Sequence, residues 1–165
     1  MDAWSNFFLG QIGAASAFAG LLFVSVSVNQ ARILALGRMA DRGLEALAML
    51  FLVLVVASLP LIPGQPVRLL GAEILLLGGA TFAIIIRLHL LYLRQLEPQS
   101  EPIFRPRTAI LVAVNRLAVG LIALSGAVLL WRADTAGFYL LAPGMLLCFA
   151  GAGANAWVLL IEINR

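Results

Sequence analysis

The sequence predicts an all-α membrane protein, a polytopic helix bundle with about five spanning helices in one domain over residues 1–165. Composition is the first observation, because hydrophobic residues make up 62% of the chain and charged residues 12%. Soluble domains average roughly 45–50% apolar and about 25% charged residues. The second observation is that apolar runs of about 18 residues or more recur along the chain, each long enough to cross a hydrocarbon core ~30 Å thick.

Five spans follow one another along the chain, at residues 7–28, 44–62, 69–93, 109–131 and 138–161. The second span ends at the helix breakers Pro63, Gly64 and Pro66. A polar connection containing three prolines, at residues 94–107, separates the third span from the fourth and disfavours a long helix there. Four spans are the alternative count, but removing any one span breaks the alternation of arginine-rich connections.

The arginines predict the orientation of the chain, since all eleven basic residues are arginine. Seven of the eleven lie in the first connection, the third connection and the C-terminal tail, whereas the other side has only Arg68 and Arg132. Short cytoplasmic loops are enriched in basic residues, so the N-terminus is predicted outside and the C-terminus in the cytoplasm. Basic residues scattered between apolar runs do not indicate a nucleic-acid partner.

Small residues at spacings of three and four predict the faces on which helices pack, because lipid offers no hydrophobic drive for helix association. In the fourth span Arg116 shares such a stripe and is predicted to point toward another helix. Packing within the chain and packing between copies both fit, and a homo-oligomer is the working hypothesis. The predicted packing residues are Gly13, Ala17, Gly20, Gly120, Ala123 and Ala127.

Strongly polar residues recur near the cytoplasmic third of every span and predict a polar layer. Counting ~1.5 Å per residue from the span ends places Arg87 about 9 Å and Arg116 about 8 Å inside the inner boundary. Two arginines on consecutive helices therefore share nearly one depth. The predicted layer consists of Asn29, Glu45, Arg87, His89, Asn115, Arg116 and Asn155.

Three interpretations of the two arginines remain open. Each can snorkel toward the head groups, form an ion pair with Glu45, or line a polar cavity or the mouth of a pore, where rings of arginine favour anions. Glu45 can neutralise only one guanidinium, so the other needs water, lipid phosphate, another subunit or a bound anion. Near the outer surface, Glu73 is predicted to form an ion pair with Arg68 or Arg132.

Motifs for catalysis, metal binding or cofactor binding are not found in the sequence. The single cysteine, Cys148, permits no intrachain disulfide, and no metal-spaced histidine pair, glycine-rich phosphate loop or Ser-His-Asp set can be assembled. We therefore predict no enzymatic activity, no cofactor and no metal.

Two blocks near the N-terminus carry a resemblance, WSNFFLGQIGAASAFAGLLFVSVSVN at residues 4–29 and RGLEALAMLFLVLVVASLPLIPGQP at residues 42–66. They resemble a group of small polytopic bacterial membrane proteins, some of which are labelled modulators of the FtsH protease. The resemblance covers about the first seventy residues and implies a bacterial inner-membrane location. It implies no catalytic residues.

Two functions from different classes fit these observations. The first is a homo-oligomer that forms a permeation path for ions or small solutes. The second is a regulatory or scaffolding membrane subunit that binds another membrane protein or lipids. The expected partners are the lipid bilayer, a second copy of the chain, an anionic lipid or inorganic anion, and another membrane protein.

Overall fold

The computed structural model describes the backbone of residues 2–30, 38–94 and 105–161, and the side chains of residues 3–30, 42–87, 90 and 109–157. This part of the chain is helical and contains no strand. A 3₁₀ turn, Leu59–Leu61, extends the second helix, and another, Thr135–Gly137, precedes the fifth. The helices are α1 (Asp2–Val28), α2 (Arg38–Ser58), α3 (Val67–Arg94), α4 (Arg105–Arg132) and α5 (Phe138–Ile161).

Five helices in the described ranges are long and apolar enough to cross a membrane, which agrees with the five spans expected from sequence. Four of them begin earlier than expected, and α5 begins at the expected residue, Phe138. α1 begins at Asp2 because its first turn is anchored by aromatic contacts, and α4 begins at Arg105. Pro106 lies in the first turn of α4. A backbone N–H at this position would have no acceptor within the helix, so proline, which has no N–H, is well tolerated there.

α2, α3, α4 and α5 form a ring of four helices, in which each contacts its two neighbours. α1 lies outside this ring and packs against α2 and α5. Only 17% of the apolar window of α1 is buried, compared with 50% for α2, so one side of α1 has no neighbour among the described residues. Below, the "arginine-rich end" is the end where α2 and α4 begin, and the "opposite end" is the end where α1, α3 and α5 begin.

The closest helix contact joins α3 and α4, which run antiparallel. A Cβ placed on Gly78 would lie 2.9 Å from the backbone N of Ala123, and a Cβ on Gly71 would lie 2.8 Å from Cα of Leu130. Glycine is required at both positions because any side chain would meet backbone atoms of the other helix. The two contacts set the register, since seven residues forward along α3 match seven residues back along α4.

Aromatic rings tie the start of α1 to the start of α5 at the opposite end. The Trp4 ring lies edge-on to Tyr139 at a centroid distance of 5.1 Å, and Phe8 makes an edge contact of 5.1 Å with Phe138. Such contacts add specific geometry to the burial of large apolar surface. They account for the helical first turn of α1.

Exposed tryptophans mark both ends of the bundle. Trp131 is 87% exposed at the opposite end, and Trp157 is 62% exposed toward the arginine-rich end. Gly144 meets Ile122 and Gly151 meets Asn115, which sets the register of α5 on α4. By that register the two tryptophans are about 33 Å apart along the axis, close to the ~30 Å thickness of a hydrocarbon core.

Candidate functional site

Three helices bring buried polar side chains together in the half of the bundle nearer the arginine-rich end. Glu45 of α2 is 6% exposed and Asn115 of α4 is 1% exposed. Nδ2 of Asn115 donates a hydrogen bond to Oε1 of Glu45 over 2.7 Å. A bond to a carboxylate is among the stronger hydrogen bonds, and here it links two helices that make few other contacts.

Gly151 of α5 completes this arrangement from the other side of Asn115. A Cβ on Gly151 would overlap Oδ1 of Asn115 and approach Cε of Met49 to 3.1 Å. The Cα–H of Gly151 therefore points at Oδ1 and makes a weak C–H···O contact of the kind found at helix interfaces. Oδ1 itself accepts no N–H or O–H hydrogen bond from the described residues.

Asn155 lies one turn beyond Gly151 on α5, and Glu45 lies one turn before Met49 on α2. Because Met49 contacts Gly151 and the two helices are antiparallel, Asn155 and Glu45 occupy the same level of the bundle. Asn155 is 3% exposed, and its Nδ2 has no acceptor in the described part of the chain. We call Glu45, Asn115, Gly151 and Asn155 the polar centre, which contains one unmatched acceptor and one unmatched donor.

Arg116 follows Asn115 directly but points elsewhere, because successive residues of an α-helix are rotated by about 100°. It lies seven residues before Ala123, which packs on Gly78, so Arg116 is on the flank of α4 nearest α3. Its side chain is half-buried and its Nε is buried without a hydrogen-bond partner. The structure describes no ion pair between Arg116 and Glu45, since the 100° rotation directs Asn115 at α2 in its place.

Arg87 and Arg116 lie at nearly the same level but do not form one cluster. The register of α3 and α4 sets Arg87 about 3 Å from the level of Arg116 along the bundle axis. Arg87 lies five full helical turns after Leu69, on the face of α3 that exposes Leu69 and Leu76, and it is itself exposed. It makes no ion pair with a carboxylate of the described residues.

Asn29, another residue of the predicted polar layer, does not join the centre. Asn29 is half-buried at the end of α1, and its Nδ2 donates to the carbonyl of Ser25 one turn earlier, over 3.1 Å. This local bond satisfies the amide without a neighbouring helix. The side chain of His89 lies outside the described residues.

The six predicted packing residues divide between two environments. In α4, Ala123 contacts Gly78 of α3, Gly120 would place a Cβ 3.8 Å from the Phe82 ring, and Ala127 is half-buried. The residues of α1 face away from the bundle: Gly13, Ala17 and Gly20 are exposed, and a Cβ on either glycine would meet nothing within 4 Å.

At the opposite end, Glu73 and Arg132 have partners other than those predicted for them. Glu73 accepts a hydrogen bond from Nε2 of Gln65, and Arg132 pairs with Asp134 over 3.1 Å. The backbone N–H of Ala136 donates to Asp134, and together with Arg132 it lowers the pKa of that carboxyl below its ordinary value of 3.8. Asp134 is closer to Arg132 than Glu73 is because the chain reverses directly after α4.

No family model, no curated protein and no solved structure matches the chain. Within the described ranges, no group of three or more His, Cys, Asp or Glu side chains could hold a metal ion. The interpretation of the site therefore depends on the geometry of these side chains alone.

The six predicted packing residues do not include the glycines that hold the site in place. Gly71 and Gly78 are seven residues apart and therefore share a face, a spacing that signals a close helix contact. Gly151 belongs to the run AGAGAN at residues 150–155, whose small residues indicate close packing. Neither pattern names the partner helix, so neither could have placed Gly151 against Asn115.

Proposed function

We propose that this chain is a non-enzymatic protein of the bacterial inner membrane, and that it assembles into a homo-oligomer with a path for ions or small solutes between subunits. The observation that carries the proposal is Arg87, a charged residue on an exposed apolar face of α3. A charged arginine facing hydrocarbon costs ~2.5–3.5 kcal/mol on insertion scales. A second subunit and a hydrated path on this face would remove that cost.

The direction of the Arg87 side chain strengthens this argument. Cα–Cβ bonds tilt toward the N-terminus of a helix. α3 begins at the opposite end, so the tilt carries Arg87 toward the middle of the membrane, away from the nearer head groups. Snorkelling is consequently less favourable for Arg87 than its depth alone suggests.

The proposed path lies between subunits because apolar side chains fill the interior of one chain. Met49, Val53, Ile122, Leu129 and Met145 are fully buried between the helices of the ring. The polar centre also keeps the interior of the bundle closed, because its contacts link α2, α4 and α5. Arginines repeated around an assembly would favour anions over cations.

The orientation proposed for this assembly places the arginine-rich end in the cytoplasm. The excess of arginine in the connections at that end supports it, since cytoplasmic loops are enriched in basic residues. The N-terminus would then lie outside and the C-terminus in the cytoplasm.

Ion flux in proteoliposomes made from the purified protein tests the proposal. We expect chloride flux from the wild type and a clear loss of chloride-over-cation selectivity in Arg87→Gln. Arg68→Gln is the matched control, because Arg68 is also exposed but lies at the opposite end. An absence of flux across a range of pH, voltage and salt would refute permeation.

A second candidate function is a regulatory or scaffolding subunit that binds another membrane protein. The exposed small face of α1 favours it, because Gly13, Ala17 and Gly20 allow close approach of another helix. Ala17→Cys in a Cys148→Ala background, cross-linked in native membranes, separates the candidates. A dimer of the chain supports the homo-oligomer, whereas a cross-link to a different membrane protein together with absent flux supports the subunit.

A further inference from the structure

The guanidinium of Arg116 has no carboxylate partner in the described structure, although the buried carboxylate of Glu45 lies at nearly the same height along the bundle axis. Glu45 is bonded by Asn115, which points at α2, while Arg116 lies about 100° further round α4. The Nε of Arg116 is buried and has no acceptor among the described residues. A buried donor without an acceptor calls for an external ligand or water.

The position of Arg116 on α4 leaves it open to the surroundings of the bundle. Ala113 and Leu117, three residues before it and one after, are exposed, whereas Ala123, two turns after it on the same face of α4, packs on Gly78 of α3. The half-buried side chain therefore lies at the boundary between the α3 contact and the exposed face. A ligand would reach it from the membrane side rather than from the interior of the bundle.

The direction of Arg116 is opposite to that of Arg87. α4 begins at the arginine-rich end, and Cα–Cβ bonds tilt toward the helix N-terminus. The tilt therefore carries Arg116 toward the nearer membrane surface. Its Cα lies about 10 Å inside the level of Trp157, a distance that a long apolar stem helps to span.

We propose that Arg116 binds the phosphate of an anionic phospholipid at the α3–α4 face. Phosphate is the anion of the head-group layer toward which the Arg116 side chain is tilted, and the planar guanidinium binds phosphate through two parallel hydrogen bonds. Arg94, Arg105 and Arg107 lie in the ends of the same two helices and add positive charge to this end. An outward rotation of the half-buried side chain onto this phosphate would also give the buried Nε an acceptor.

The test measures lipid retention by native mass spectrometry and thermal stability in detergent with added lipid. Wild-type protein is expected to retain phosphatidylglycerol in preference to zwitterionic phosphatidylcholine, and to be stabilised by it. A basic residue near an anionic surface contributes enough to change apparent affinity about fivefold. We expect Arg116→Gln to bind phosphatidylglycerol about that much more weakly.

Two further variants keep the result interpretable. Arg116→Lys retains the charge but loses the planar fork, and an intermediate affinity is expected even if Arg116→Gln fails to fold. Arg68→Gln removes one exposed arginine at the opposite end and is expected to retain lipid as the wild type does. Unchanged phosphatidylglycerol retention in both Arg116 variants would overturn the proposal.

Thermal stability with added inorganic phosphate shows whether the bound phosphate belongs to a lipid or to a soluble anion. We expect no stabilisation by inorganic phosphate, since the site opens toward lipid. Stabilisation equal to that by phosphatidylglycerol would show that a soluble anion is the ligand and would also overturn the proposal. Lipid retention and chloride flux are separate measurements, so this inference and the permeation proposal can fail independently.

Discussion

Replacing Gly151 by alanine should damage the polar centre specifically. The added Cβ would overlap Oδ1 of Asn115, whose amide is held on its other side by the 2.7 Å hydrogen bond to Glu45. Asn115 must therefore move, or α5 must shift away from α4. Gly153 is the matched control on the same helix, because a Cβ there would lie 3.5 Å from the Phe18 ring, an ordinary van der Waals distance.

The magnitude follows from two terms. Forcing a methyl group into a filled site costs about 1–3 kcal/mol. Loss of an interhelical hydrogen bond costs about 0.6 kcal/mol on average and up to about 1.7 kcal/mol in membrane bundles. Both variants gain similar helix propensity from the change of glycine to alanine. We therefore expect Gly151→Ala to be less stable than Gly153→Ala by about 2–5 kcal/mol.

Unfolding in mixed detergent and SDS micelles, followed by circular dichroism, measures this difference. A double-mutant cycle with Asn115→Ala assigns it to the contact, since removing Oδ1 should remove most of the alanine penalty. Equal stability of Gly151→Ala and Gly153→Ala would refute the reasoning. An additive cycle would show that the methyl group meets some other neighbour.

Three further predictions concern other parts of the chain. Gly78→Leu should prevent close α3–α4 packing, whereas Gly79→Leu should be tolerated because a Cβ at Gly79 meets nothing within 4 Å. Similar yields of folded protein for the two variants in gel filtration would contradict this difference. Glu45→Ala should destabilise the bundle by about 1–3 kcal/mol, because Asn115 loses its hydrogen-bond acceptor. Glu45→Gln should destabilise it less, because the amide oxygen of glutamine can still accept this bond. If SDS unfolding shows Glu45→Gln to be the less stable variant, the hydrogen bond does not have this role. The pKa of Asp134 is lowered on folding, so its contribution to stability is present above about pH 4 and is lost as the pH falls through the folded pKa. Thermal unfolding should show that the wild type is more stable than Asp134→Asn at pH 7 and that this advantage shrinks as the pH falls below about 4; a difference that does not change with pH would exclude this role.

The sequence predicted the five spans well because crossing length and apolar composition are properties of local segments. It placed the starts of α1, α2 and α4 several residues too late, because the start of a helix depends on more than apolar composition. Trp4 and Phe8 contact rings of α5, and Pro106 favours a helix start at Arg105, inside the expected connection. The pairing of Arg132 with Asp134 depended on the turn after α4, which span assignment does not address.

For the candidate site, too, the sequence predicted some features and left others undetermined. The sequence placed Glu45, Asn115, Arg116 and Arg87 near one level, and the α3–α4 register sets the two arginines within about 3 Å of each other along the axis. The interpretation that Glu45 pairs with one of the two arginines, one of the three left open, has no counterpart in the described structure, where Asn115 bonds to the carboxylate. Residues at one level of the bundle are neighbours only if their helices turn them toward each other.

Position along the bundle axis was determined by the sequence itself, since backbone hydrogen bonds hold the rise at ~1.5 Å per residue in every helix. Rotation about each helix axis was decided only by the tertiary structure. Lipid is as apolar as the interior of the bundle, so an apolar sequence does not mark which side faces inward. Contacts such as Gly78 with Ala123 and Gly151 with Asn115 select one rotation, which turns Asn115 toward Glu45 and Arg87 toward the surface.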